Sequence, residues 1–214
     1  MRSFYYARPR VTKIVEDGIQ QKLMIVWAPA GYGKTSVVQQ SLDVLGVNSI
    51  WCCAIRRDNN TTLFRRFVQS QQIQHTNGDK SPLTWSDDEV VGINALTRYI
   101  EGSVESDPNT DRVIVVDDCH WFASEPSIVD AVNHMISNSS ANAHFILIGR
   151  SVPNLACSCY LALEHRLVLL GLSDLRFNSR ESRSILRSMH GKQITNRHIT
   201  YVADTCDGWI AGIV

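Results

Sequence analysis

Fourteen residues near the start of the chain, Leu23 to Ser36 (LMIVWAPAGYGKTS), restrict its possible folds more than any other stretch. Leu23 to Trp27 are consecutively apolar and predict a buried strand. Ala28 to Gly33 are small or turn-forming, and Lys34-Thr35-Ser36 opens an apolar-periodic run that predicts a helix over about Lys34 to Leu45, ended by Gly46. Strand, glycine-rich loop and helix in that order form the context of a P-loop. Such a loop wraps a phosphate chain with backbone N–H groups, which requires little side chain at Ala30, Gly31, Tyr32 and Gly33 beyond what points away. The helix N-terminus, at Thr35 and Ser36, adds unpaired N–H groups and a positive dipole end. Lys34 is expected on the β- and γ-phosphates and the Thr35 hydroxyl on Mg²⁺. The usual pattern begins with a further glycine, and Ala28 stands in its place.

The rest of the chain repeats the strand–helix alternation. Further strands are expected at Ser49–Ile55, Arg112–Val116, His144–Ile148 and Arg166–Leu170. All are continuous apolar runs, as in a parallel sheet covered on both faces. Helices are expected after Arg8-Pro9-Arg10, with Thr12 as a candidate cap, and over about Thr61–Ile73, Asp87–Ile100, Pro126–Ile136 and Leu155–Leu163. After Gly171 no further strand is evident. Asn178-Ser179-Arg180-Glu181 fits a capping box opening a helix through about Met189, and a second helix runs from about Asn196 to Thr205, before Asp207-Gly208. The expected fold is α/β, a P-loop domain over residues 1–172 with a five-stranded parallel sheet flanked by helices. The beginning of an all-α helical domain follows over 173–214.

The third strand runs into Asp117-Asp118. In open α/β sheets ligands sit at the C-terminal strand edge. There Asp117 is placed to hold Mg²⁺ opposite Thr35, and Asp118 to orient or deprotonate an attacking water. Arg150 ends the next strand on the same edge. It reads either as a group that senses the γ-phosphate or as an exposed strand-end arginine. His120 reads equally as a phosphate contact or a strand cap. Trp27, Trp51 and Trp121 read as packing residues. Lys34, Asp118 and Arg150 are therefore the candidate catalytic residues. Arg8 and Arg10 could line the nucleotide pocket.

Composition excludes several classes. Of 214 residues, Lys+Arg and Asp+Glu number 21 each, so the net charge is zero and no basic excess marks a nucleic-acid-binding surface. No apolar run is long enough to span a membrane, and MRSFYYARPR lacks the apolar core of a secretory signal. The expectation is a cytoplasmic protein with reduced thiols. Cys157-Ser-Cys159 has no second cysteine pair at zinc spacing.

RPRV, LMIVWAPAGYGKTSVVQQ, IWCCAIRRDNNTTLFRRFV, RVIVVDDCHW, FILIGRSVPNL, VLLGLSDLRFNSRESRSIL and CDGWIAGI, in that order, resemble the STAND-class ATPases, in the branch of the bacterial maltose-activator (MalT-like, large ATP-binding LuxR-type) regulators. That family uses alanine at the position of Ala28. The resemblance implies a P-loop domain with a strand inserted between the P-loop strand and the Asp117 strand, and a helical domain opening at about Ser173. It implies ATP/ADP and Mg²⁺ as ligands: Gly31, Gly33, Lys34 and Thr35 at the phosphates and metal, Asp117 and Asp118 as the acidic motif, Arg150 as γ-phosphate sensor, and Arg8 and Arg10 near the base. It also implies a switch, with ADP holding a closed monomer, ATP with an inducer giving an open, self-associating form, and slow hydrolysis resetting it. DNA is expected to be bound only through a C-terminal helix-turn-helix domain that this sequence does not contain. The alternative is a conventional P-loop enzyme, a small-molecule kinase or a DNA-processing ATPase. A kinase would call for an arginine-rich lid and a DNA motor for a basic surface, and the sequence displays neither.

Overall fold

The computed structural model describes residues 6–47, 49–54, 111–190 and 195–213. The helices expected over Thr61–Ile73 and Asp87–Ile100 lie outside these residues. The described elements run α1 (Pro9–Gly18), β1 (Leu23–Trp27), α2 (Lys34–Leu45), β2 (Ser49–Cys53), β3 (Arg112–Asp117), α3 (Pro126–Asn138), β4 (Ala143–Gly149), α4 (Ala156–Leu163), β5 (Leu167–Leu170), α5 (Leu172–Leu175), α6 (Ser179–His190), α7 (Asn196–Cys206) and α8 (Ile210–Ile213), with a 3-10 turn at Cys119–Trp121.

All four strand pairings are parallel, and the order across the sheet is β2-β3-β4-β1-β5. β4 thus separates the P-loop strand from the Asp117 strand, the insertion that the resemblance implies. The continuous apolar runs follow from two-sided burial, because successive strand residues point to opposite faces. Leu23, Ile25, Ile114, Val116, Phe145 and Leu147 pack on one face with Ile128, Val132 and Ile136 of α3 and Leu161 of α4. Met24, Val26, Val113, Val115, Ile146 and Ile148 pack on the other with Val11 and Val15 of α1 and Val37, Val38 and Leu42 of α2. A third, smaller core gathers Phe177, Ile185, Leu186, Ile199 and Ile213, with Tyr6 packed against it.

Local signals act where they were expected, with two corrections. Pro9 occupies the first turn of α1, and Gly46 ends α2 in the left-handed region at φ 67°. Asn178 and Glu181 form a reciprocal capping box: the Glu181 N–H donates to Asn178 Oδ1 at 2.8 Å, and the Asn178 N–H to Glu181 Oε2 at 2.9 Å. Thr12 is not a cap. Arg8 precedes α1, and the Thr12 hydroxyl accepts from Ser41 Oγ of α2 at 3.3 Å. The short helix α5, over Leu172–Leu175, also lies where sequence periodicity is too brief to register. Its opening is tied by the Gly171 N–H donating to Asp174 Oδ2 at 3.0 Å.

At the opposite sheet edge Lys22 is buried. Its ammonium donates to Ser139 O, Ser139 Oγ and Ser140 O at 3.0, 2.9 and 2.7 Å, just past the C-terminus of α3. Burial, with a lesser contribution from Arg166, lowers its pKa to about 8. The folded-state value lies below the unfolded one, so the folded state gives up this proton first as pH rises. Below about pH 8 both states carry the charge. Between about pH 8 and the ordinary lysine value near 10.4 the unfolded state binds more protons, and stability rises with pH. Denaturant midpoints of wild type and Lys22→Met are therefore expected to shift in wild type's favour between pH 7.5 and pH 10. A constant difference would refute the buried-cation assignment.

Candidate functional site: a phosphate loop closed by the helical segment

The residues singled out in the sequence come from three parallel strands that end on one edge, so their C-terminal residues face a common crevice. The loop after β1 carries Gly31 at φ 82° and Gly33 at φ 71°, the left-handed region that favours glycine. Ala28 has no positive φ and is fully buried. The missing first glycine is thereby explained, since that position needs a small residue but not glycine's dihedral freedom. Lys34 lies across the loop, its ammonium donating to the carbonyls of Ala28 and Pro29 at 2.9 and 3.0 Å. Partial burial, then the nearby positive charge of Arg150, lowers its pKa.

Asp117 and Thr35 lie on strand and helix separated by β4, yet the Thr35 hydroxyl comes close enough to the Asp117 carboxylate to favour its charged form. The Asp118 N–H donates to Asp117 Oδ1 at 2.7 Å. Burial raises the Asp117 pKa, and Thr35 and the Asp118 N–H oppose the rise. The pair supplies hard oxygen donors, one neutral and one anionic, which suits a Mg²⁺ ion that keeps most of its waters. The donor set therefore fits the metal. Among the described residues no group of three or more His, Cys, Asp or Glu side chains is placed to hold a metal by itself.

Asp118 adopts the left-handed conformation (φ 54°, ψ 31°) and turns the chain out of β3 into the 3-10 turn. Its carboxylate is about half exposed, with Oδ1 at 3.7 Å from His120 Nδ1. The His120 ring stacks tilted on Trp121 at 4.7 Å between centroids, and both ring nitrogens are shielded with no hydrogen-bond partner among the described residues. Desolvation lowers the His120 pKa although Asp118 opposes it. The Cys119 thiol, packed against Gly149, is pushed up to about 12 by burial, so it is a packing group. Arg150 is exposed, its guanidinium carbon 6.0 Å from the Trp121 ring. Trp121 is thus a rim residue, 39% exposed, whereas Trp51 packs against the core and Trp27 against Gly171.

Arg8 and Arg10 both reach the backbone of the SDLRF stretch. The Arg8 guanidinium donates to the carbonyls of Leu175 and Arg176 at 3.0 Å each, pairs with Glu181 at 3.4 Å and lies 4.1 Å from the Phe177 ring centre. Arg10 donates to the carbonyls of Asp174 and Arg176 at 2.9 and 3.2 Å. Both pin the SDLRF stretch. Arg8 nonetheless lines a cavity of about 340 Å³ beside the loop, together with Tyr6, Gly31, Ser36, Phe177 and Ile210.

The far end of the chain closes on the same loop. Trp209 Nε1 donates to the Ala30 carbonyl at 3.0 Å, and the Ala211 N–H donates to the Gly31 carbonyl at 3.1 Å. Gly208, at φ 74°, brings its backbone against Phe177, whose N–H donates to Gly208 O at 3.1 Å. DGW therefore rests on SDLRF. Sequence reasoning assigned Trp209, Ala211 and Phe177 no site role. Their motifs were visible, but nothing local indicates that they reach a loop some 180 residues away.

A family model described as an AAA domain matches residues 18–153, more than half of the chain. The chain belongs to the AAA domain family. This AAA domain is similar to the HTH-type transcriptional regulator MalT of Yersinia pestis, 23% identical over 211 residues, covering 96% of this chain and 23% of the relative. It is also similar to the serine/threonine-protein kinase PknK of Mycobacterium tuberculosis, 24% identical over 213 residues, covering 96% of this chain and 19% of that one. The chain thus spans about a quarter or less of the length of these relatives. Among solved structures, the Pyrococcus horikoshii STAND protein PH0952, which carries a tetratricopeptide repeat sensor, superposes with a TM-score of 0.67 at 16% identity, covering 97% of this chain and 29% of that one. Cdc6p of Pyrobaculum aerophilum follows at 0.64 and 12%, covering 100% and 62%. At these identities the structural likeness shows the fold. The chain is thus an AAA domain, similar in sequence to MalT and in fold to a STAND protein. No helix among the described residues is long and apolar enough to cross a membrane.

Proposed function

We propose that this chain is the ATP-binding, slowly hydrolysing nucleotide switch of a signal-transduction ATPase that regulates transcription. The observation that carries this reading is the shared sheet edge at which the glycine loop with Thr35 and the acidic end of β3 at Asp117 lie close together. In this reading the inward amides of Gly31 to Thr35 and the Lys34 ammonium take the phosphates, and Ser36 flanks them. Thr35 and Asp117 hold Mg²⁺, which when bound would neutralise phosphate charge. Asp118 orients the attacking water as general base, and Arg150, beside Lys34, senses the γ-phosphate. The cavity lined by Tyr6, Phe177 and Ile210 has the size and apolar character to receive the nucleoside. Residues 1–172 are then the nucleotide-binding domain, and 173–214 the beginning of the helical domain, whose small core is separate from the two sheet faces. Self-association in the ATP state and DNA binding through another domain of a longer chain complete the proposal, and the compartment is the cytoplasm.

The test is equilibrium binding and turnover of ATP and ADP with Mg²⁺. Lys34→Ala is expected to weaken ATP about 10- to 100-fold, the range for losing a charge-assisted hydrogen bond. Turnover in wild type is expected below about one per second, under the usual range of kinases. Unchanged affinity in Lys34→Ala would end the phosphate-loop assignment. Rapid phosphoryl transfer to a small acceptor would end the switch.

A further inference from the structure

We infer that Trp209 is a positioning residue for the phosphate loop: its indole N–H, with the Ala211 amide, holds two loop peptides in the orientation that presents their N–H groups to phosphate. The inference rests on the reading of that loop as a phosphate site.

The argument starts from peptide geometry. In a trans peptide the carbonyl and the following N–H point in opposite directions, and no cis peptide occurs among the described residues. Trp209 Nε1 captures the Ala30 carbonyl, which turns the Gly31 N–H to the other face of the loop. The Ala211 N–H captures the Gly31 carbonyl, which turns the Tyr32 N–H the same way. Two consecutive amides are thereby aimed by donors on a segment almost 180 residues away. Gly31 has the backbone freedom to flip either peptide, since glycine populates both signs of φ readily. Something outside the loop must choose one orientation.

The contact is close enough to be specific. A Cβ at Gly31 would lie 2.4 Å from Trp209 Nε1 and 2.8 Å from the Ala211 Cβ. Trp209 as a whole is 43% exposed, so burial alone does not account for its place. The segment has its own anchor as well. Gly208 packs on Phe177, and Arg8 holds Phe177 and the Leu175 and Arg176 carbonyls, so the donors arrive on a braced turn. By linkage, a ligand that needs the inward amides must favour the docked segment as much as the docked segment favours the ligand.

Trp209→Phe removes the donor and keeps an aromatic ring. With Mg²⁺, binding of ATP and ADP is expected to weaken about three- to tenfold, the range for one neutral hydrogen bond. Adenosine binding is expected unchanged, because no phosphate is involved. Equal weakening of adenosine would mean that Trp209 merely supports the cavity, and unchanged ATP and ADP would mean that the clamp does not act. Either result overturns the inference. Lys34→Ala measured alongside separates the two readings. If it weakens ATP while Trp209→Phe does not, the clamp alone fails; if Lys34→Ala has no effect, the phosphate reading fails and the clamp with it. Hydrogen exchange in wild type provides a measurement that depends on no variant folding. Amides of residues 209–213 are expected to be slowed more by ADP than by adenosine, which reaches Ile210 in the cavity but supplies no phosphate, and equal protection by both, or by neither, overturns the inference.

Discussion

Asp118→Asn is expected to slow ATP turnover by about 10²- to 10⁴-fold while leaving ATP affinity within about threefold, the signature of a lost general base. The substitution suits the site. Asp118 sits in the left-handed region at φ 54°, where asparagine is among the few residues tolerated, so the backbone should keep its path. The carboxylate is half exposed and accepts a long, weak hydrogen bond from Cys53 Sγ at 4.0 Å, so stability should be little changed. The amide cannot accept a proton from water, although it fills the same volume beside His120. Single-turnover phosphate release compared with equilibrium binding makes the distinction. A parallel fall in both quantities would place Asp118 at the metal or in the fold, and undiminished turnover would remove it from the reaction. Neighbouring Asp117 should behave differently. It accepts from the Asp118 N–H and lies close to Thr35, so its loss should weaken Mg²⁺-dependent binding together with turnover.

Gly208→Ala is expected to destabilise the protein by about 3 kcal/mol or more, against about 1 kcal/mol for Gly46→Ala. Both glycines lie in the left-handed region, at φ 74° and 67°, so the conformational cost is shared. Their surroundings differ. A Cβ at Gly46 meets nothing within 4 Å, whereas one at Gly208 would lie 2.5 Å from the Phe177 carbonyl oxygen and 2.8 Å from its nitrogen. Those neighbours are backbone and cannot rotate away. The excess should also be local, because Gly208 joins DGW to SDLRF. Limited proteolysis is expected to cut residues 195–213 first in Gly208→Ala and not in Gly46→Ala. Chemical denaturation of the two variants provides the comparison, and equal costs would show that the Phe177 contact is not tight.

Much of the fold was legible because its determinants are local. Two-sided strands write themselves as continuous apolar runs, a left-handed helix end selects glycine at Gly46, and a capping box needs only Asn178 and Glu181 three residues apart. The loop from Ala28 to Thr35 was legible for the same reason: tight turns and close phosphate approach constrain residue type over a few positions. Even so, Thr12 was misread, since a threonine near a helix start can equally face a neighbouring helix, and here its hydroxyl meets Ser41.

The candidate site was less legible in proportion to sequence distance. Position along each strand put Lys34, Asp117, Asp118 and Arg150 at one edge, but the approach of Thr35 to Asp117 depends on strand order, which is a matter of long-range pairing. Arg8 could be counted as a cation near the nucleotide. Its capture by three carbonyls and Glu181 requires α5 to pack beside α1, which no local pattern specifies. The sequence by itself determined which segments become strand, loop and helix, and that a phosphate loop and an acidic strand end share the sheet. Only the tertiary structure decided which groups meet there, above all that Trp209 closes on Ala30. Local propensity acts over a turn or two of chain, whereas that contact is set by the packing of residues almost 180 positions apart.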